Sequence, residues 1–246
     1  MESVSYLINE IYPCLQGEGI NLGKPSLLVR FQLCNLRCAW CDTPYTHTYK
    51  SDPVDKNNPQ GAQKYKRKTQ KELIAEIESY APLKHLILTG GEPTLQNIGL
   101  LMEQLHKEGY TAEVESNATR IPHLETKGFL KSHYQLMQWN LSPKFENAGE
   151  KINEKSMHHW GHLCQTQKNI YFKFVIRKQE YQEDLNIILD LQKKFDLPAS
   201  QIILMAEGVT QESQLNNIWL HDICLKYQFR YTPRMHILIF GNQRRT

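Results

Sequence analysis

Short apolar runs bounded by Gly, Pro, Asn or Asp recur along the chain, and their spacing predicts the fold before any single residue is weighed. Strands are predicted near 26–33 (SLLVRFQL), 84–89 (KHLILT), 111–116 (TAEVES), 135–141 (QLMQWNL), 170–176 (IYFKFVI), 201–205 (QIILM) and 235–240 (MHILIF). Helical periodicity falls between them, near 70–80, 97–108, 181–194 and 210–226. Strand alternating with helix predicts an α/β protein with a mainly parallel sheet. The units are too few for a closed eightfold barrel. A partial, incomplete TIM-like barrel is expected instead, as a single domain over 1–246. Residues 46–69 (THTYKSDPVDKNNPQGAQKYKRKT) show no period and are rich in Pro, Asn, Lys and Gly, so they read as a loop or lid inserted into that domain.

Two predicted strands carry a charge that a strand buried on both faces would not have. In SLLVRFQL, alternation puts Leu27, Val29, Phe31 and Leu33 on one face and Leu28, Arg30 and Gln32 on the other. In IYFKFVI, Lys173 shares a face with Tyr171 and Val175. The unusual polar signatures sit just after or at the ends of strands: CNLRCAWCDT, TGGEPT, ESNAT, SPK and AEG. That end of parallel strands is where α/β folds build their sites.

Composition narrows the class without naming a reaction. A chain of 246 residues, 40% hydrophobic and 22% charged, suits a soluble globular protein with room for a real core. Its longest apolar runs, such as IILMA and HILIF, fall far short of the ~20 residues of a membrane helix. The N-terminal MESVSYLINEIYP has acidic residues and no apolar h-region, so no signal peptide and a cytoplasmic location are expected. A net charge of +3 gives no ground for a nucleic-acid partner, and the basic run KYKRKTQK reads as a solvated loop entering a helix.

The cysteines change the picture. Of six, Cys34, Cys38 and Cys41 stand at C-x3-C-x2-C, a spacing that argues for a metal site in a reducing compartment rather than for disulfides. Zinc would need a fourth ligand, for which His47 is available. The other reading is a 4Fe-4S cluster with one iron left open. The open iron would bind a chelating small molecule, and S-adenosylmethionine offers an amino and a carboxylate group and supports radical chemistry. In LTGGEPTL, Gly90 and Gly91 let the backbone come close, Glu92 adds a negative charge and Pro93 can open the next helix, which suits a methionyl group. A plain strand-to-helix turn would use the same residues.

The joint pattern resembles the radical S-adenosylmethionine (SAM) superfamily and, within it, the family of 7-carboxy-7-deazaguanine synthases. The motifs are LQGEGINLGKPSLLVRFQLCNLRCAWCDTPYT (Leu15 to Thr46), TGGEP, ESNAT, WNLSPK, FKFVI, LMAEG and the terminal GNQRR. The resemblance implies conversion of 6-carboxy-5,6,7,8-tetrahydropterin to 7-carboxy-7-deazaguanine with loss of ammonia, on the way to queuosine in transfer RNA or to another 7-deazapurine. It implies a 5′-deoxyadenosyl radical that takes hydrogen from C6 of the substrate and later returns it. It also implies magnesium, a flavodoxin- or ferredoxin-like electron donor and a homodimer. By match to the motifs, Cys34, Cys38 and Cys41 would hold the cluster. Trp40, Cys41, Asp42, Gly91, Glu115, Ser142, Pro143, Lys144, Met205, Ala206 and Glu207 would meet SAM, and Thr43 would bind magnesium. Leu15, Gln16, Gly17, Glu18, Arg30 and Thr89 would meet the substrate, with Glu18 accepting from the pterin's amino and ring N–H groups. The strand pattern supports Arg30 independently: an inward Arg needs a carboxylate, either the substrate's or that of Glu18 or another acid. Lys173 is left without a role.

Some positions depart from the family pattern. Leu33 stands where Gly usually precedes the first Cys, Ser116 and Ala118 replace residues of a common ETNGT, Ala206 replaces Pro, and the tail reads GNQRRT. Two rival readings remain at this level. One is an activase that makes a glycyl radical on a partner protein. The other is a non-enzymatic zinc-binding module.

Overall fold

The computed structural model describes residues 4–47 and 65–245. They fall into two compact units, made of the described parts of Met1–Pro13, Ser26–Ser116 and Arg120–Gln138, and of Cys14–Pro25, Asn117–Thr119 and Trp139–Thr246. The elements are, in chain order, β1 (Ser5–Leu15), β2 (Pro25–Phe31), β3 (Lys66–Thr69), α1 (Gln70–Glu78), β4 (His85–Gly90), α2 (Ile98–Lys107), β5 (Thr111–Ser116) and α3 (Pro122–Glu125), then β6 (Gln138–Leu141), α4 (Glu154–Thr166), β7 (Ile170–Ile176), α5 (Tyr181–Lys194), β8 (Ile202–Ala206), α6 (Gln211–Gln214), α7 (Ile218–Tyr227), β9 (Arg230–Tyr231) and α8 (Met235–Phe240).

The first unit orders its strands β3-β1-β2-β4-β5. The β2–β4 and β4–β5 pairs are parallel, while β3 adds antiparallel to the start of β1. Alternation along β2 is as predicted: Leu27, Val29 and Phe31 are fully buried, while Leu28 and Arg30 keep some exposure on the other face. α1 starts at a capping box in which the Thr69 hydroxyl accepts from the Glu72 amide and the Glu72 carboxylate accepts from the Thr69 amide. The second unit orders its strands β6-β7-β8-β9, all parallel. β7 and β8 are the heart of its core, with Phe172, Phe174, Ile202 and Leu204 excluded from solvent. Each run of strands has two ends, so neither closes into a ring by itself, and the fold class is the expected mainly parallel α/β.

Three segments differ from expectation. MHILIF is helix α8, not a strand: the Leu238 and Gly241 amides bond back to the Arg234 and Ile237 carbonyls. A short apolar run has too few residues for its period to be read. The predicted strand over 135–141 is a 3-10 turn through Lys131–Leu136 followed by β6. The single helix expected over 210–226 breaks into α6 and α7, with Asn216 in a left-handed conformation between them. Of the inserted segment 46–69, residues 48–64 lie outside the described residues. Its two ends are regular: Thr46 closes a 3-10 turn, and Lys66–Thr69 is β3.

Candidate active site

In the first unit the cysteine loop and the TGGEP turn are built as one piece. The Gly91 amide donates to the Phe31 carbonyl at 3.1 Å and the Glu92 amide to the Leu33 carbonyl at 2.7 Å. A Cβ on Gly91 would fall 2.0 Å from the Leu33 carbonyl oxygen, and one on Gly90 (φ +133°) would fall 2.2 Å from that of Phe31. These glycines are therefore required by the chain's own backbone, which leaves no room for a side chain. Leu33, just before the first cysteine, has φ +81°, the left-handed region that favours Gly. Glu92 is fully buried, and its Oε1 accepts from the Thr94 amide (3.0 Å), the Thr94 hydroxyl (2.6 Å) and the Ser116 hydroxyl (2.9 Å). Pro93 opens a short 3-10 turn rather than α2 itself.

Cys34, Cys38 and Cys41 are each half-buried on this loop. The Leu36 amide points at Cys34 Sγ from 3.5 Å. Burial, reinforced by Glu92 and by the other two cysteines, pushes the Cys34 thiol up to about 11 against that amide. Cys34 thus senses the other two sulfurs, and a bound cation would relieve the penalty on its thiolate. Cys41 Sγ lies 3.3 Å from His47 Nε2 and 3.8 Å from the Thr43 hydroxyl. Among the described residues no three His, Cys, Asp or Glu side chains converge closely enough to hold a single ion. Three thiols at C-x3-C-x2-C spacing on one loop are the donor type that a 4Fe-4S cluster takes. Trp40 is half-buried beside them and Asp42 is exposed.

Arg30 and Thr89 face each other as register partners on β2 and β4, so the structure brings these two together. Arg30 Nε is 2.6 Å from Glu10 Oε1, and the Tyr45 hydroxyl donates to the same oxygen at 3.2 Å. The partner is thus Glu10 of β1, not Glu18. Burial opposes the Arg30 charge, but Tyr45, Tyr12 and Glu10 outweigh it and hold the guanidinium protonated. Glu115 is half-buried near the end of β5.

In the second unit the QGEG loop is clasped by the segment leading into α8. The Met235 amide donates to the Gly17 carbonyl at 2.8 Å, and the Gly19 amide donates to the Thr232 hydroxyl at 2.8 Å. A Cβ on Gly17 would meet the His236 ring at 2.4 Å. Glu18 Oε2 is 2.5 Å from Lys173 Nζ, and its Oε1 accepts from Arg234 Nε at 3.1 Å. Burial works to raise the Glu18 carboxyl, but Lys173, Arg234 and His236 overcome it and hold the group well below the usual carboxylate range. Gln16 is buried and its side-chain oxygen accepts from the Glu18 amide, while Leu15 is exposed. Ser142 and Pro143 are buried at the end of β6, with Lys144 Nζ 2.5 Å from the Ser142 hydroxyl. Met205 and Ala206 are buried at the end of β8, and the Glu207 amide donates to the Ile176 carbonyl.

Sequence reasoning missed Glu10, Tyr45, Thr232, Arg234 and His236, and it left Lys173 without a task. Lys173 had a signal, a charge inside an apolar strand. Arg234 had none, because its partner is 216 residues away.

A family model for the radical SAM superfamily matches residues 28–135. A 7-carboxy-7-deazaguanine synthase of Pyrobaculum aerophilum is 30% identical over 241 residues, covering 96% of this chain and 95% of that one. A synthase of the same name from Rhodopirellula baltica is 30% identical over 98% of this chain and 89% of its own. One from Haemophilus influenzae is 39% identical over 117 residues, 47% of each chain. Among solved structures, QueE from Escherichia coli superposes with a TM-score of 0.68 at 22% identity, over 94% of this chain and 95% of its own, and shows the same fold. The 30% identity to the Pyrobaculum and Rhodopirellula synthases over nearly the whole chain, with the radical SAM match across the cysteine loop, places the chain in the radical SAM superfamily and, within it, in the 7-carboxy-7-deazaguanine synthase family.

Proposed function

We propose that this chain converts 6-carboxy-5,6,7,8-tetrahydropterin to 7-carboxy-7-deazaguanine and ammonia, as a radical SAM carbon–nitrogen lyase. Family membership sets aside the activase and the zinc module. The observation that carries the reading is a pre-set charge in the second unit: Glu18, an ionised acceptor already oriented by Lys173 and Arg234. A pterin offers the matching group, an amino group beside a ring N–H.

In this reading Cys34, Cys38 and Cys41 hold the 4Fe-4S cluster. When bound, the cluster and SAM would supply the radical chemistry that starts the reaction at C6 of the substrate. The remaining work belongs to side chains. Arg30, its plane set by Glu10 through Nε, clamps the substrate carboxylate, and Thr89 stands beside it. Glu18 takes the amino and ring N–H groups, with Leu15, Gln16 and Gly17 shaping the loop. Gly91, Glu115, Ser142–Lys144 and Met205–Glu207 hold SAM together with Trp40 and Asp42. The Thr43 hydroxyl is a hard oxygen donor for Mg2+. The overall change is redox neutral, since the abstracted hydrogen is returned and nitrogen leaves as ammonia. A small one-electron donor of the flavodoxin or ferredoxin kind, a homodimer and a cytoplasmic setting complete the proposal. Among the described residues no helix is long and apolar enough to cross a membrane.

The test starts with anaerobic reconstitution and analysis for iron and sulfide. The reduced protein is then incubated with SAM, Mg2+ and the carboxytetrahydropterin. Deazaguanine and ammonia in equal amounts are expected. 5′-Deoxyadenosine without deazaguanine would reject the substrate and leave the superfamily standing.

A further inference from the structure

Lys173 and Arg234 reach Glu18 from segments 155 and 216 residues away. Lys173 lies on β7 with 6% of its side chain exposed, and Glu18 keeps 15%. Arg234 sits just before α8 and is tied down twice more. Its Nη1 donates to the Gly208 carbonyl at 3.0 Å, and its backbone amide donates to Gln214 Oε1 at 3.1 Å. Gln214 in turn donates to the Ala206 and Gly208 carbonyls. Such an ion triad is a poor way to add stability, because desolvation offsets most of the attraction. It does achieve orientation. With one cation on each oxygen, the carboxylate can neither rotate nor take up a proton without losing a partner.

We propose that Lys173 and Arg234 are positioning residues for Glu18: one cation on each oxygen fixes the plane and the charge of a group that accepts paired N–H donors from a ligand. The ligand class is a ring carrying an exocyclic amine beside a ring N–H, such as the 2-amino-4-oxopyrimidine edge of a pterin. This part rests on the assignment of Glu18 to the substrate. The groups facing Glu18 are Lys173 from β7, Arg234 from the turn before α8, and His236 from α8 itself. Removing Lys173 leaves burial opposed by two partners instead of three. The carboxyl pKa must climb, and the acceptor form is then lost at a higher pH as pH falls.

The experiment uses cluster-loaded protein with 13C-labelled Glu carboxyls, the Glu18 resonance being assigned by its loss in Glu18→Gln. In the wild type this resonance should remain that of a carboxylate down to about pH 4, and in Lys173→Met it should titrate at least about one unit higher. Lys173→Arg should restore the wild-type curve. Dissociation constants for 6-carboxytetrahydropterin at pH 7 should rise at least about tenfold in Lys173→Met and less than about threefold in Lys173→Arg. Where Lys173→Met fails to fold, Arg234→Met against Arg234→Lys gives the same comparison, because only the first removes the cation on Glu18 Oε1. An unmoved Glu18 titration, or equal losses of affinity in Lys173→Met and Lys173→Arg, would overturn the proposal. A wild type that binds SAM but no pterin would reject the ligand class, while the titration still decides the positioning role by itself.

Discussion

The cysteine loop and the QGEG loop are held in opposite ways. The first is fastened backbone to backbone, with the Gly91 and Glu92 amides on the Phe31 and Leu33 carbonyls and glycines where a Cβ would strike those carbonyls. The second has backbone bonds too, at Gln16 and Gly17, but its charged residue is fixed by side chains, with Lys173 and Arg234 on Glu18, and the His236 ring lies against Gly17. A loop that carries a cluster needs a fixed backbone, because its ligands are spaced by the chain itself. A loop that reads a substrate needs fixed charge, which can be supplied from remote segments. Backbone neighbours cannot step aside, whereas side chains can, so equal insults should have unequal effects.

The largest effect should come from Gly91→Ala. The added carbon meets a carbonyl, so the apo chain should lose on the order of 3 kcal/mol and bind little iron on reconstitution. Chemical denaturation and iron analysis check this. Glu18→Gln should spare the cluster and SAM binding but cut deazaguanine formation about 100-fold, the worth of a charged hydrogen-bond acceptor. If iron content falls as well, the two regions are not independent. Gly17→Ala should cost less than Gly91→Ala, about 1 kcal/mol, because the obstructing atom is a His236 ring that can turn. Equal losses for the two glycine variants would erase the contrast. The smallest change should be favourable. Leu33 and Ala118 hold φ +81° and +60° at positions where the family pattern has Gly. Leu33→Gly trades about 1–2 kcal/mol of left-handed strain against the entropy of Gly, so the apo unfolding midpoint should rise by about 2 °C. A lower midpoint would mean that the Leu33 side chain packs more than its half-buried state implies.

The same contrast explains what could be read from sequence. C-x3-C-x2-C and TGGEP are local, and their residue types state their own geometry. β2, β4, β5, β7 and β8 were legible because each is an unbroken apolar or alternating run. β1 was not, because buried Asn9 and Glu10 interrupt its apolar pattern. α4 hid behind its composition: its buried stripe is Ser156, Met157, Trp160, Gly161 and Cys164, and Gly161 is there because the Phe195 carbonyl lies 2.5 Å from where a Cβ would sit. The Arg30 partner was foreseen as an acid but not as Glu10, since strand order decides which acid is near. Arg234 and His236 stand beside a run misread as a strand. As a helix, that run buries Ile237 and leaves Ile239 and Phe240 exposed.

The most direct measurement is product analysis of the reconstituted enzyme under reducing, anaerobic conditions with SAM, Mg2+ and 6-carboxy-5,6,7,8-tetrahydropterin. Many turnovers to 7-carboxy-7-deazaguanine, one ammonia per product and no matching build-up of 5′-deoxyadenosine are predicted. A protein that holds its cluster and cleaves SAM, yet leaves the pterin unchanged, would contradict the proposal.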